Sequence, residues 1–118
     1  MFSNPEIEVQ TPKEDYQVEI ADSFLSKFMG FRFCSEGKML FTFSRETNPA
    51  IDMMFVPENL YLYFIDSDKK VIDSKKAKSW SIDPRTWKLY KSSQNYRYLL
   101  ESFEELELNN GDQLEFEL

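Results

Sequence analysis

The stretch that most constrains the fold is IDMMFVPENLYLYFIDSD, residues 51–68. Its apolar residues fall in two short runs on either side of Pro57. A strand turns successive side chains to opposite faces, so apolar runs this short, bounded by turn residues, point to β-structure. Proline donates no backbone hydrogen bond and belongs outside a ladder. Two strands are therefore expected, 50–56 and 60–66, joined through Pro57, Glu58 and Asn59. In the first, Ile51, Met53 and Phe55 would share one face, and Asp52, Met54 and Val56 the other. In the second, Leu60, Leu62 and Phe64 face one way, and Tyr61, Tyr63 and Ile65 the other. Both faces are largely apolar. Another element must cover the second face, or it must form a binding surface.

The rest of the chain continues in short alternating segments. EIEVQ (6–10) and YQVEI (16–20) flank the turn-forming TPKED. KMLFTF (38–43), VIDSK (71–75), YRYLLE (96–101) and the closing QLEFEL read as further strands, with SRETNP, SDKK and NNGD between them. ADSFLSKFMG differs: Asp22 or Ser23 can cap a helix, Phe24, Leu25, Phe28 and Met29 follow at helical spacing, and Gly30 supplies a stop. A helix is expected over 22–29. Ser102 with Glu105 makes a capping box for a late helical turn. Residues 77–95, with Pro84, read as short strands and an ordered loop. The sum is one domain over 1–118, residues 1–5 a loose end: mainly β, a compact antiparallel barrel or sandwich with one early helix and one late helical turn.

Composition removes whole classes of chemistry. The chain has no histidine, which rules out Ser-His-Asp and Cys-His nucleophilic catalysis, imidazole metal ligands and an imidazole pH switch. One cysteine, Cys34, excludes an internal disulfide and a cysteine-built zinc site, and with no histidine to serve as its base reads as a buried or half-buried bystander. No apolar run approaches the ~18 residues of a membrane-spanning helix. MFSNPEIEVQ has neither a basic nor an apolar region of a secretory signal, so a cytoplasmic location is expected. Asp66, Asp68 and Asp73 resemble a hard-cation loop, but its required Gly and Glu positions hold Val71 and Ala77. They read as turn residues; no metal and no cofactor is expected.

Charge is unevenly spread. The net charge is −7, yet Lys69 to Arg97 holds nine basic residues against Asp73 and Asp83, a net +7, which leaves −14 for the rest. Cations there interleave with Trp80, Trp87, Tyr90, Tyr96 and Tyr98, a composition that can hold phosphates and stacked bases. The plainer reading is a solvated face, or one complementary to the acidic strands of the same domain. Overall acidity opposes a polyanion at long range.

The order FLSKFMGFRF, KMLFTF, IDMMFVPENLYLYFID, KVID, KSW, YRYLLES and NNGD, from about Tyr16 to Leu118, resembles the family called domain of unknown function 192. The resemblance implies a small, mostly β, barrel-like domain with an early helix and no established activity. Gly30, Met53, Phe55, Leu60, Phe64, Asp66, Trp80, Glu101, Gly111 and Asp112 match family positions. Asp52 stands where the family often has Trp or His, Asn59-Leu60-Tyr61 replaces Pro-Leu-Asp, and Ser79 replaces the Pro before Trp80. Any catalytic role of that lost Asp in relatives would be missing here.

Three functions follow. The first is a ligand- or protein-binding module, its surface drawn from Met53, Phe55, Tyr61, Tyr63, Trp80 and Trp87, taking an unidentified small molecule or protein. The second is a carboxylate-dependent hydrolase of a sugar-like substrate, with Glu101 and Asp66 as the weak candidates and Asp52 as a conceivable partner acid. The third is polyanion binding through Lys75, Lys76, Lys78, Arg85 and Lys88, which ranks last for nucleic acid. A membrane partner is not expected, and oligomeric state stays open.

Overall fold

The computed structural model describes residues 5–21, 32 and 36–118. The expected helix at 22–29, Gly30 and Cys34 lie outside them. Among the described residues six strands form one sheet: β1 (Glu6–Gln10), β2 (Asp15–Ala21), β3 (Lys38–Thr47), β4 (Leu60–Ile65), β5 (Val71–Ala77) and β6 (Tyr96–Ser102). Their order is β1-β2-β3-β6-β4-β5. The fold is mainly β, and the sheet does not close into a barrel. It is not wholly antiparallel either, because β2 and β3 pair parallel, Ile20 opposite Leu40. A parallel pair needs a crossover of a dozen or so residues, and 22–37 supplies that length.

The alternation expected for residues 60–65 is present. Leu60, Leu62 and Phe64 enter one apolar cluster with Met39, Phe41, Leu99 and Tyr96; Tyr63 and Ile65 enter the opposite one with Val18, Leu40 and Leu100. Strands β4 and β6 are thus buried on both faces, as sheets covered on both sides require. Irregular chain provides both covers. On the Tyr63 face Leu106, Leu108, Leu114 and Phe116 close the core; on the Phe64 face Met53, Val56 and Tyr90 close it, with Ile51 and Trp80 packed alongside.

Other expectations are corrected. No strand forms over 50–56. Ile51 makes one isolated bridge with Tyr90, after which the chain turns: Val56 N–H donates to Met53 O at 3.1 Å, and Phe55 takes a positive φ of 61°. The Asp52 carboxylate accepts the Met54 N–H at 3.0 Å, a side-chain bond that substitutes for a ladder. The late helical turn is absent as well. Ser102 Oγ caps Glu104 N–H, but the Tyr63 hydroxyl takes both backbone groups of Leu106, accepting its N–H at 2.8 Å and donating to its carbonyl at 3.2 Å. A helix would need those groups itself. The one helical turn among the described residues is 3₁₀, Pro84–Thr86, where an ordered loop was expected. QLEFEL forms no strand; instead Gln113 bridges Lys70 and Glu115 bridges Gln10, so this segment joins the two sheet edges. Gly111, at φ 94°, turns the chain into it, a conformation that other residues adopt at a cost.

Because the Tyr63 hydroxyl fastens the 103–108 cover, Tyr63→Phe leaves the buried Leu106 N–H without that acceptor, while the Leu106 carbonyl keeps the Leu108 N–H. Stability should fall by about 1–3 kcal/mol. The check is the urea midpoint; an unchanged midpoint would show that the cover is held by packing alone.

Candidate functional site

Two features meet at the turn over 52–57: a group of charges beneath it and an apolar cleft outside it. The charges are Arg32, Asp52 and Glu101. The Arg32 guanidinium grips the Asp52 carboxylate with both terminal nitrogens, at 2.7 and 3.0 Å, and also donates to the Met54 carbonyl. This two-pronged geometry is the strong form of the arginine–carboxylate pair. The pairing holds the Asp52 carboxyl below its ordinary range and raises the Arg32 guanidinium above its own. Together the two side chains fix the backbone at Met54 from both sides.

Glu101 lies in β6 between its register partners Met39 on β3 and Leu62 on β4, on the Phe64 face of the sheet. With only 6% of its surface exposed, it is costly to ionise. Burial pushes its carboxyl up to about 8; nearby Arg32 pulls down and Asp52 pushes up. Glu101 and Asp52, which sequence left unrelated, therefore share one electrostatic neighbourhood around Arg32. Asp66 lies elsewhere, accepting the Asp68 and Lys70 N–H groups at 2.9 Å as the cap of a turn.

The cleft is about 700 Å³, lined by Met54, Phe55, Val56, Pro57, Trp80, Ser81, Ile82 and Trp87. Its outer wall is built by local polar chemistry in SIDPRT. Asp83 accepts the Arg85 N–H at 3.0 Å, Pro84 opens the 3₁₀ turn, and Thr86 Oγ1 donates to Asp83 O while accepting the Ser81 N–H at 2.9 Å. Both indole N–H groups are used inside the loop, Trp80 to Lys88 O at 3.0 Å and Trp87 to Ser81 O at 2.8 Å. The rings stack 6.1 Å apart, 26° from parallel. What the loop offers solvent is carbon: Ile82 is 98% exposed at its tip, and it lines the cleft together with Phe55, itself 60% exposed.

The sequence candidates separate accordingly. Phe55, Trp80 and Trp87 come together. Met53 lies just beneath them, fully buried in the core. Tyr63, buried on the other face, and Tyr61 both line a different recess of about 320 Å³, together with Lys75, Lys76, Ser74 and Glu105. Lys75 and Lys76 lie on β5, an edge strand, where lysines discourage edge-to-edge pairing. Lys78, Arg85 and Lys88 belong to the cleft loop and its approaches. Sequence reasoning did not single out Arg32, Met54, Val56, Pro57, Ser81 or Ile82; the Asp-Pro step with Ser and Thr around it was the available signal for a rigid loop.

The chain is similar to known proteins in sequence and in fold. Residues 7–116 match the family model DUF192, described as Uncharacterized ACR. A UPF0127 protein of Thermococcus sibiricus is 27% identical over 110 residues, 86% of this chain and 67% of that one. A UPF0127 protein of Pyrococcus furiosus is 28% identical over 107 residues, covering 85% and 86%. Two crystal structures share the fold. A Sinorhizobium meliloti protein to which transcription regulation has been ascribed superposes with TM-score 0.80 over 98% of this chain and 97% of its own, at 20% identity. A Novosphingobium aromaticivorans protein of unknown function gives 0.73 over 93% and 83%, at 18%.

Glu101 makes stability depend on pH in a defined direction. Its folded pKa, about 8, lies above the ordinary 4.5, so the folded state keeps a proton that the unfolded state loses. Stability is full below about 4.5 and declines as pH rises to about 8, by at most on the order of 5 kcal/mol. Asp52, held low, acts in the opposite sense and only in acid. Urea midpoints at pH 5 and pH 9 should converge in Glu101→Gln relative to the parent chain. An equal decline in both would place the proton elsewhere.

Proposed function

The chain belongs to the DUF192 family, a membership that carries no activity with it, and from the cleft over 52–57 and 80–87 we propose that the domain is a binding module. The cleft receives an apolar group of ring or branched-chain size, held between Phe55 and the Trp80–Trp87 wall. The observation that carries this reading is Phe55. A bulky residue at φ 61° with 60% of its surface in solvent is held there at a cost in backbone energy. The turn that sets its backbone does not call for an aromatic side chain turned to solvent, whereas a wall for a ligand does. Supporting it, the cleft lies within the usual 300–1,000 Å³ of small-ligand sites, and both walls are anchored by side-chain hydrogen bonds.

A second reading, carboxylate-dependent hydrolysis, is favoured by one observation: Glu101 keeps its proton near neutrality beside the ionised Asp52, the separation of roles that acid–base chemistry uses. Profiling against glycoside substrates tests it, and any hydrolysis that survives Glu101→Gln unchanged removes it.

The binding reading is tested by titrating indole and phenyl fragments into ¹⁵N-labelled protein. Amide shifts should concentrate at Met54–Val56 and Ser81–Trp87, and Phe55→Ala should weaken binding by about tenfold, as for loss of an aromatic contact worth ~1–1.5 kcal/mol. Shifts centred on Tyr61 and Lys76, or none at all, would sink it.

A further inference from the structure

The outer wall of the cleft comes from the one basic part of an acidic chain. Lys78, Arg85, Lys88 and Lys91 are all exposed and alternate with Trp80, Ile82, Trp87 and Leu89. Among the described residues, none of the nine cations from Lys69 to Arg97 forms an ion pair with an acid outside that segment; Arg85 pairs with Asp83 within it, in the open, where such pairs contribute little. The acids carried elsewhere thus do not neutralise this face through direct ion pairs among the described residues. The apolar surface also exceeds one ring's footprint. Met54, Phe55, Ile82, Trp87 and Leu89 are all exposed, and only the first four line the cleft.

Resting on the binding reading above, we infer that this face docks an acidic segment of another protein, with one or two aliphatic or aromatic side chains seated between Phe55 and Ile82 and its carboxylates over Lys78, Arg85, Lys88 and Lys91. Apolar anchors inside a charged rim are how such surfaces combine affinity with selection. Nucleic acid fits less well. The Trp rings stack on each other with their N–H groups already bonded, and much of the remaining wall is Met54, Val56, Pro57 and Ile82, which grip aliphatic chains rather than stacked bases. The −14 outside the segment also repels a long polyanion, whereas a short acidic segment meets only the local positive field.

Three fluorescein-labelled, capped nonapeptides test this by polarisation with the full chain: one with Glu and Asp around a central Leu-Phe, one with those acids replaced by Gln and Asn, and one with the acids kept and Leu-Phe replaced by Ser-Ser. The first should bind at least about tenfold more tightly than either other in about 20 mM salt, and its advantage over the neutral peptide should shrink by about 300 mM. Ile82→Ser, at a fully exposed tip, should weaken the first peptide severalfold without altering the unfolding midpoint, and Lys88→Glu should weaken only the charged peptides. Equal binding of the first two peptides overturns the inference. So does equal binding of the first and third, or binding of an oligothymidylate that Ile82→Ser leaves intact; those results assign a polyanion site. Concentration-dependent dimerisation abolished by Ile82→Ser overturns it in favour of a second copy. If indole fragments still shift the cleft amides in any of these cases, the cleft reading stands; if neither fragments nor peptides bind, that reading falls first.

Discussion

The structure depends on one constraint: the middle of its single sheet is apolar on both faces. Leu62, Phe64, Leu99 and Tyr96 lie on one side and Tyr63, Ile65 and Leu100 on the other, each nearly or wholly removed from solvent. A lone sheet cannot hide two faces, and a chain this short with almost no helix among its described residues has little regular structure to spare for the task. The covers are therefore loops, and loops must satisfy their backbone groups without a ladder. That need explains the density of side-chain-to-backbone bonds in the covers. Tyr63 serves Leu106, Asp52 serves Met54, and Asn48 pairs with both backbone groups of Ser92. It also explains why candidate binding features gather on the covers, since their shape is set by a few polar contacts rather than by strand geometry.

The turn over 52–57 shows how far one such contact reaches. Met53 and Val56 point inward and complete the core, while Met54 and Phe55 point outward and form a cleft wall. The Arg32–Asp52 grip fixes the backbone between them at Met54. Core closure and cleft shape are thus two consequences of one ion pair. Glu101 beneath it is best neutral: a second carboxylate charge in that apolar setting would compete with Asp52 for the same guanidinium.

The sequence made the strands legible because short alternating or continuously apolar runs lie between turn residues; β1 and β2 alternate, whereas β4 and β6 are apolar on both faces. It also made the two-faced burial of 60–65 legible, and with it the question of what lies over Tyr61 and Tyr63. It failed at 50–56, where the same apolar density belongs to a turn. Periodicity reports which side chains are apolar, and this turn buries Met53 and Val56 together with half-buried Ile51, although a strand would put Met53 and Val56 on opposite faces. The deciding residues were Asp52 and Pro57, whose local bonding and missing donor oppose a ladder. The late helical turn failed for a different reason: the competitor for Leu106 was the Tyr63 hydroxyl, 43 residues away, which no local signal announces. The parallel pairing of β2 with β3 was equally invisible. The resemblance marked Met53, Phe55 and Trp80 together, and those three do lie along one cover, although Met53 serves its inner side.

A physical asymmetry remains between the two covers. On the Tyr63 face the chain presents leucines inward and glutamates outward, the usual amphipathic economy of a solvated segment, so Leu106 and Leu108 are buried while Glu105 and Glu107 are exposed. On the opposite face the rule is inverted: Met54, Phe55, Ile82 and Trp87 are turned out although polar residues would serve a mere cover at lower risk of aggregation. Ile82 could be a serine or an aspartate as far as the loop is concerned, since the Asp83, Thr86 and Ser81 bonds that shape it do not involve its side chain. An isoleucine that the loop's internal bonding does not require is best understood through what meets it from outside, and that is why the cleft face, rather than the equally well-built Tyr63 face, is the one assigned to binding.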